Sequence, residues 1–169
     1  FKKIMVSLLA LTMIVPGVPQ RSVQASTITK QIQDLQVGDV IEGFRITSKE
    51  YNKDYQSDVY EFEHLTTSAK VTWFKNDDMH RAFAIGFNTP AENDKGINHI
   101  LEHSLIGGSE KYQATNLLFD VMNNTYTSYI NAYTMQNMTL YPISSMSEAQ
   151  LLKSADVYLD CVFHPLVIQ

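Results

Sequence analysis

The chain reads as an α+β fold with a largely antiparallel sheet and helices packed on one face. Three observations predict it. From Gly43 to Asn88 the apolar residues recur with a period of two, as they do in half-buried strands. From Ile97 onward helical spacing takes over, and a second alternating stretch, residues 126–143, interrupts the helices. Strands first, then helix, helix, hairpin and helix is an order that sets helices against an antiparallel sheet.

The elements follow in order. Residues 1–25 open with Lys2 and Lys3, continue with an apolar run over 4–15, and end on Val23-Gln24-Ala25, the layout of a secretory signal peptide. The run is shorter than the ~20 residues a membrane-spanning helix needs, so no stable membrane span is expected. Export, to the cell envelope or beyond, is therefore the expected localisation. Residues 26–42 are polar and irregular and read as a linker, leaving 43–169 as the folded domain. Phe44 and Ile46 lead into a strand, and 54–57 make a turn. Residues 59–65 place Tyr60, Phe62 and His64 on one face and Glu61 and Glu63 on the other. Residues 70–75 form another strand. Residues 81–88 alternate Phe83, Ile85 and Phe87 against Ala82, Ala84 and Gly86, and that small face predicts a close-packed neighbour. Residues 97–106 read as a helix stopped by Gly107-Gly108, and 116–122 as a second. Segments 126–134 and 138–143 form a hairpin. Ser147 and Gln150 make a capping box, opening a helix that Pro165 stops.

Composition narrows the function. Of 169 residues 44% are hydrophobic and 18% charged, enough for a packed core, and the net charge of −5 comes with no basic stripe. A nucleic-acid partner is disfavoured, because phosphate binding needs clustered positive charge. The single Cys161 lies in an apolar helical pattern and reads as a buried structural thiol.

The informative segment is His99-Ile100-Leu101-Glu102-His103. On a helix, positions i and i+4 share a face, so His99 and His103 can converge on one ion, with Glu102 beside it. Zinc suits imidazole ligands, and catalytic sites hold it with three protein ligands plus water. The metal brings the pKa of that water toward neutrality, and an adjacent carboxylate can take its proton and pass it to a leaving amine. The pattern is the inverted zinc-protease signature. His64, His80 and His164 lack partners at ligand spacing and read as packing or surface residues.

Further segments carry a resemblance. Gly86-Phe87-Asn88-Thr89-Pro90, the run from Gly96 to Ser104, Gly108-Ser109-Glu110-Lys111-Tyr112, Tyr129-Ile130-Asn131-Ala132-Tyr133-Thr134 and the run from Val157 to Pro165 closely resemble the pitrilysin/insulinase family of zinc metallopeptidases, nearest its presequence-protease-like branch. The resemblance implies the amino-terminal domain of that fold, truncated at its carboxy-terminal end. It implies Zn2+ on His99 and His103, Glu102 as general base, and unfolded peptides as substrates, added as a strand to a sheet edge. Asn131 and Ala132 match the edge-strand segment and are the candidates for peptide contact, the alternative being that Asn131 only satisfies a turn, where Asn is common. The family's third metal ligand is a Glu on a later helix, and no acid of this chain matches it. The expectation is therefore an inactive fragment of a metalloendopeptidase, partnered by the missing carboxy-terminal half. A non-catalytic scaffold subunit, or one half of a split peptidase, is the alternative.

Overall fold

The computed structural model describes residues 35–114 and 116–168, which form two compact units divided between Asp77 and Asp78. The leader read over 1–25, and residues 26–34 of the linker, lie outside the described residues. The remainder of the linker stretch already belongs to the fold. Leu35 is 3% exposed, and Val40–Ile41 form a strand. A lone apolar residue and a two-residue strand leave no periodicity for a sequence reading to detect.

In the first unit, β1 (Val40–Ile41), β2 (Phe44–Asn52), β3 (Ser57–His64) and β4 (Lys70–Lys75) pair antiparallel in that order. The β1–β2 reversal runs through Glu42 and Gly43, both at positive φ (47° and 83°). Hairpins favour such turns because their twist matches that of the strands. The β2–β3 turn is closed by Asn52, whose Oδ1 accepts the N–H groups of Asp54 (2.9 Å) and Tyr55 (3.1 Å). Leu35, Ile46 and Tyr60 form the core, with Phe62 and Trp73 packed against it, so the alternation in 59–65 identifies the inner face.

The second unit has its own sheet, ordered β5–β8–β6, from β5 (Arg81–Asn88), β6 (Thr127–Ile130) and β8 (Met138–Ser145); β7 (Tyr133–Thr134) also pairs with β8. All pairings are antiparallel, with Arg81 opposite Ser145 and Asn88 opposite Met138. The antiparallel sheet expected from sequence is thus two sheets, each with its own core. Helices α1 (Ile97–Leu105), α2 (Leu117–Asn124) and α3 (Glu148–Phe163) complete the unit, followed by a 3₁₀ turn at Leu166–Ile168. The α+β class stands. Among the described residues no helix is long and apolar enough to cross a membrane.

The core of this unit joins Tyr141 and Ile143 of β8 to Leu151 and Tyr158 of α3, with Phe83, Ile85 and Phe87 of β5 against them. Ala82, Ala84 and Gly86 point the other way and are exposed, so the neighbour expected on that small face is not found among the described residues. Alternation tells which face is buried, not what covers the opposite one. The helix α3 starts at Ser147, whose hydroxyl accepts the Gln150 N–H at 3.4 Å, and ends at Phe163, two residues before Pro165. The expected 126–143 hairpin forms with a break at Asn131-Ala132, between β6 and β7.

Candidate active site

Helix α1 follows Asn93-Asp94-Lys95-Gly96, a turn in which Asn93 Oδ1 accepts the Lys95 N–H (3.0 Å) and Gly96 takes φ 69°. Gly96 is the N-cap and offers no side chain to the first turn. The helix start is tied instead by Asn98, whose amide donates to the Thr89 carbonyl at the end of β5 (2.9 Å). One turn later Glu102 is held to β7, its Oε2 accepting the Thr134 hydroxyl at 2.5 Å. The two bonds are four residues apart and fix the rotation of α1 about its axis.

That rotation inverts the usual helix pattern. Ile97, Ile100 and Leu101 are 58%, 64% and 46% exposed, whereas Glu102 is 4% exposed. A carboxylate taken out of water needs a hydrogen-bond donor, and such breaches of patterning concentrate at functional sites. The charge of Glu102 is felt in the core: burial first, then that carboxylate, pushes the Tyr141 phenol up to about 12. Tyr158 is raised further, mainly by its burial.

His99 and His103 lie on the exposed side of α1 with their rings nearly parallel (12°) and centroids 4.8 Å apart. Their Nε2 atoms approach to 2.9 Å. Two imidazoles on a tetrahedral zinc ion, at about 2.0–2.1 Å each, would stand roughly 3.3 Å apart. The pair therefore fits the ion after opening by a few tenths of an ångström. The donor chemistry is right for zinc, but among the described residues no group of three or more His, Cys, Asp or Glu is placed to hold a metal.

Asn131 and Ala132 occupy the β6–β7 break. Asn131 Oδ1 accepts the Ala132 N–H (2.9 Å), its N–H donates to the Pro142 carbonyl (3.2 Å), and its carbonyl accepts the Tyr158 hydroxyl (2.7 Å). The Asn131 side chain thus shapes the turn, and Ala132 packs half-buried against the core. The remaining histidines have local partners: Thr67 for His64, Ser128 for His80 and Asp160 for His164. Sequence reasoning missed Thr134 and Tyr158 as supports of the site. Thr134 stands 32 residues from Glu102, and no local spacing could announce the pair.

The insulinase (peptidase family M16) model matches residues 84–169. The mitochondrial presequence protease of Schizosaccharomyces pombe is 35% identical over 78% of this chain, which covers 13% of that protein. Protein HypA of Clostridium perfringens is 35% identical over 75% of the chain, covering 13% of its length. Presequence protease 1 of Arabidopsis thaliana, chloroplastic/mitochondrial, is 34% identical over 73%, covering 11%. The chain thus spans a small part of the relatives it matches. The crystal structure of pitrilysin shares the fold at a TM-score of 0.63 and 19% identity, over 74% of this chain and 14% of that one.

These relatives correct one expectation. Export was inferred from the leader-like pattern in residues 1–25, yet the matching presequence proteases are organellar by name, mitochondrial or chloroplastic/mitochondrial. A short basic-then-apolar segment is a degenerate signal, and it misled. The family match, by contrast, runs from Ala84 within β5 through all three helices and the other strands of the second sheet. On that match the chain belongs to the insulinase family of peptidases, M16.

Proposed function

We propose that this chain is the amino-terminal part of a zinc-dependent metalloendopeptidase that hydrolyses unfolded peptides. His99 and His103 hold the ion, and Glu102 is the general base. The observation that carries the reading is one helix that presents two neighbouring imidazoles to solvent and buries the Glu102 carboxylate against β7, which, like β6, pairs with β8.

When bound, zinc supplies Lewis acidity that makes a water molecule acidic near neutral pH and polarises the scissile carbonyl. Glu102 takes the proton from the attacking water and delivers it to the departing amine. The peptide lies as an added strand along β6 and β7, on either side of the break that Asn131 and Ala132 make between them. Main-chain pairing of this kind selects extended chains over particular sequences. The third metal ligand and the other half of the peptide site come from a carboxy-terminal portion of the protein or a separately encoded piece.

A second reading is a non-catalytic partner subunit of the same fold. It is favoured by the lack, among the described residues, of a three-ligand cluster. Calorimetric titration of the chain with zinc, beside His99→Ala, separates the two. Binding that disappears in the variant supports the peptidase reading, and binding that survives unchanged in the variant sinks it. Peptide cleavage by the isolated chain should be absent or very weak. Chelator-sensitive turnover comparable to that of full-length M16 enzymes would overturn the claim that a ligand is supplied from elsewhere.

A further inference from the structure

We infer that Thr134 is the positioning residue of Glu102, fixing which carboxylate oxygen faces the reacting water; this rests on the reading of Glu102 as general base. Among the described residues no lysine, arginine or histidine pairs with Glu102, and the Thr134 hydroxyl on Oε2 is its hydrogen bond. A hydroxyl carries one proton, so here it donates to the carboxylate. It orients the group without bringing a neutralising charge. Among the described residues no buried side-chain oxygen or nitrogen is left without a partner. Oε1, which makes no hydrogen bond, must therefore reach solvent, and it is the oxygen free to take a proton.

Thr134 can do this because its own backbone is held. Tyr133 and Thr134 pair with Leu140 and Thr139 of β8, and the Met135 N–H donates to the Met138 carbonyl at 2.7 Å. Thr139 in turn shares a hydroxyl hydrogen bond with Thr89 (2.8 Å), the residue whose carbonyl accepts from Asn98. The result is a closed circuit from α1 through β5, β8 and β7 back to α1. Thr134 is its last link, and its β-branched side chain is stiff at χ1.

The test compares Thr134→Val, which keeps the shape and removes the hydroxyl, with Thr134→Ser, which keeps the hydroxyl. Carbon NMR of the chain labelled at glutamate reports on the Glu102 carboxyl, identified by the resonance lost in Glu102→Gln. The valine variant should move and broaden that resonance, and serine should restore it. Zinc affinity, read by calorimetry, should stay within about twofold in both, because the imidazoles are untouched. Single-turnover peptide cleavage by zinc-loaded protein, where measurable, should fall about tenfold in kcat with KM unchanged, since one charge-assisted hydrogen bond is lost. An unaltered Glu102 resonance in the valine variant overturns the inference, as does failure of serine to restore it. If valine prevents folding, Thr134→Ala replaces it under the same criteria. Zinc binding that survives unchanged in His99→Ala would sink the peptidase reading alone, because the carboxyl resonance is read without metal.

Discussion

Tyr158→Phe isolates one hydrogen bond that supports the candidate peptide edge. Tyr158 is 3% exposed, and its hydroxyl donates to the Asn131 carbonyl at 2.7 Å. Asn131 lies in the break between β6 and β7, where the ladder gives its carbonyl no cross-strand partner. The substitution keeps the ring and its packing and leaves that carbonyl without a donor. Stranding one polar group of this kind costs about 1–2 kcal/mol. In a unit the size of Asp78–Gln169, that corresponds to a melting temperature lower by roughly 5–10 °C. Tyr141→Phe is the matched control. Tyr141 is 2% exposed and packs against the same core, but its hydroxyl makes no hydrogen bond among the described residues. It should lose about half a kcal/mol or less. Thermal unfolding of both variants, with amide hydrogen exchange at residues 131–134, supplies the measurement. Equal destabilisation of the two, or unchanged exchange at the break in Tyr158→Phe, would refute the reasoning.

Three further predictions concern the supports around this core. A Cβ at Gly108 would sit 2.6 Å from the Ala114 carbonyl oxygen, whereas one at Gly107 would come no nearer than 3.4 Å to Ser104. Gly108→Ala should therefore destabilise by about 1–3 kcal/mol in urea unfolding and Gly107→Ala by much less. Burial raises the Cys161 thiol from an ordinary 9.0 to about 11, a shift that Ser109 opposes and Asp160 assists. At mildly alkaline pH its thiolate fraction is then about a hundredfold below that of a free cysteine, so a thiol reagent should react at least that much more slowly with folded than with urea-unfolded chain. For Asp156, burial pushes the carboxyl up, but hydrogen bonds from Lys111 and Tyr112 outweigh it and hold the group below the ordinary 3.8. A depressed folded-state value stabilises above the unfolded one and is lost as pH falls through the folded one. Asp156→Asn should accordingly be less stable than the unaltered chain at neutral pH, and the gap in urea midpoints should close as the solution is acidified below 3.8.

The fold and the pairing of His99 with His103 were legible for a common reason. Alternation in 81–88, the Ser147/Gln150 cap and the His99/His103 spacing all depend on residues within a turn or a strand of each other, where chain geometry dictates which side chains share a face. The stretch around Leu35 and β1 was missed because one apolar residue carries no period. The leader pattern misled because charge and hydropathy over a short segment do not specify a destination.

By itself, then, the sequence determined the α+β class, the helix that brings two imidazoles together, and membership of the family. What only the tertiary structure decided is why Glu102 is buried while its apolar neighbours are exposed, and which groups restrain it. Those answers lie in contacts across 9, 27, 32 and 50 residues: Asn98 with Thr89, Tyr158 with Asn131, Thr134 with Glu102, and Thr139 with Thr89. No periodicity links such pairs; packing the sheet against α1 and α3 does.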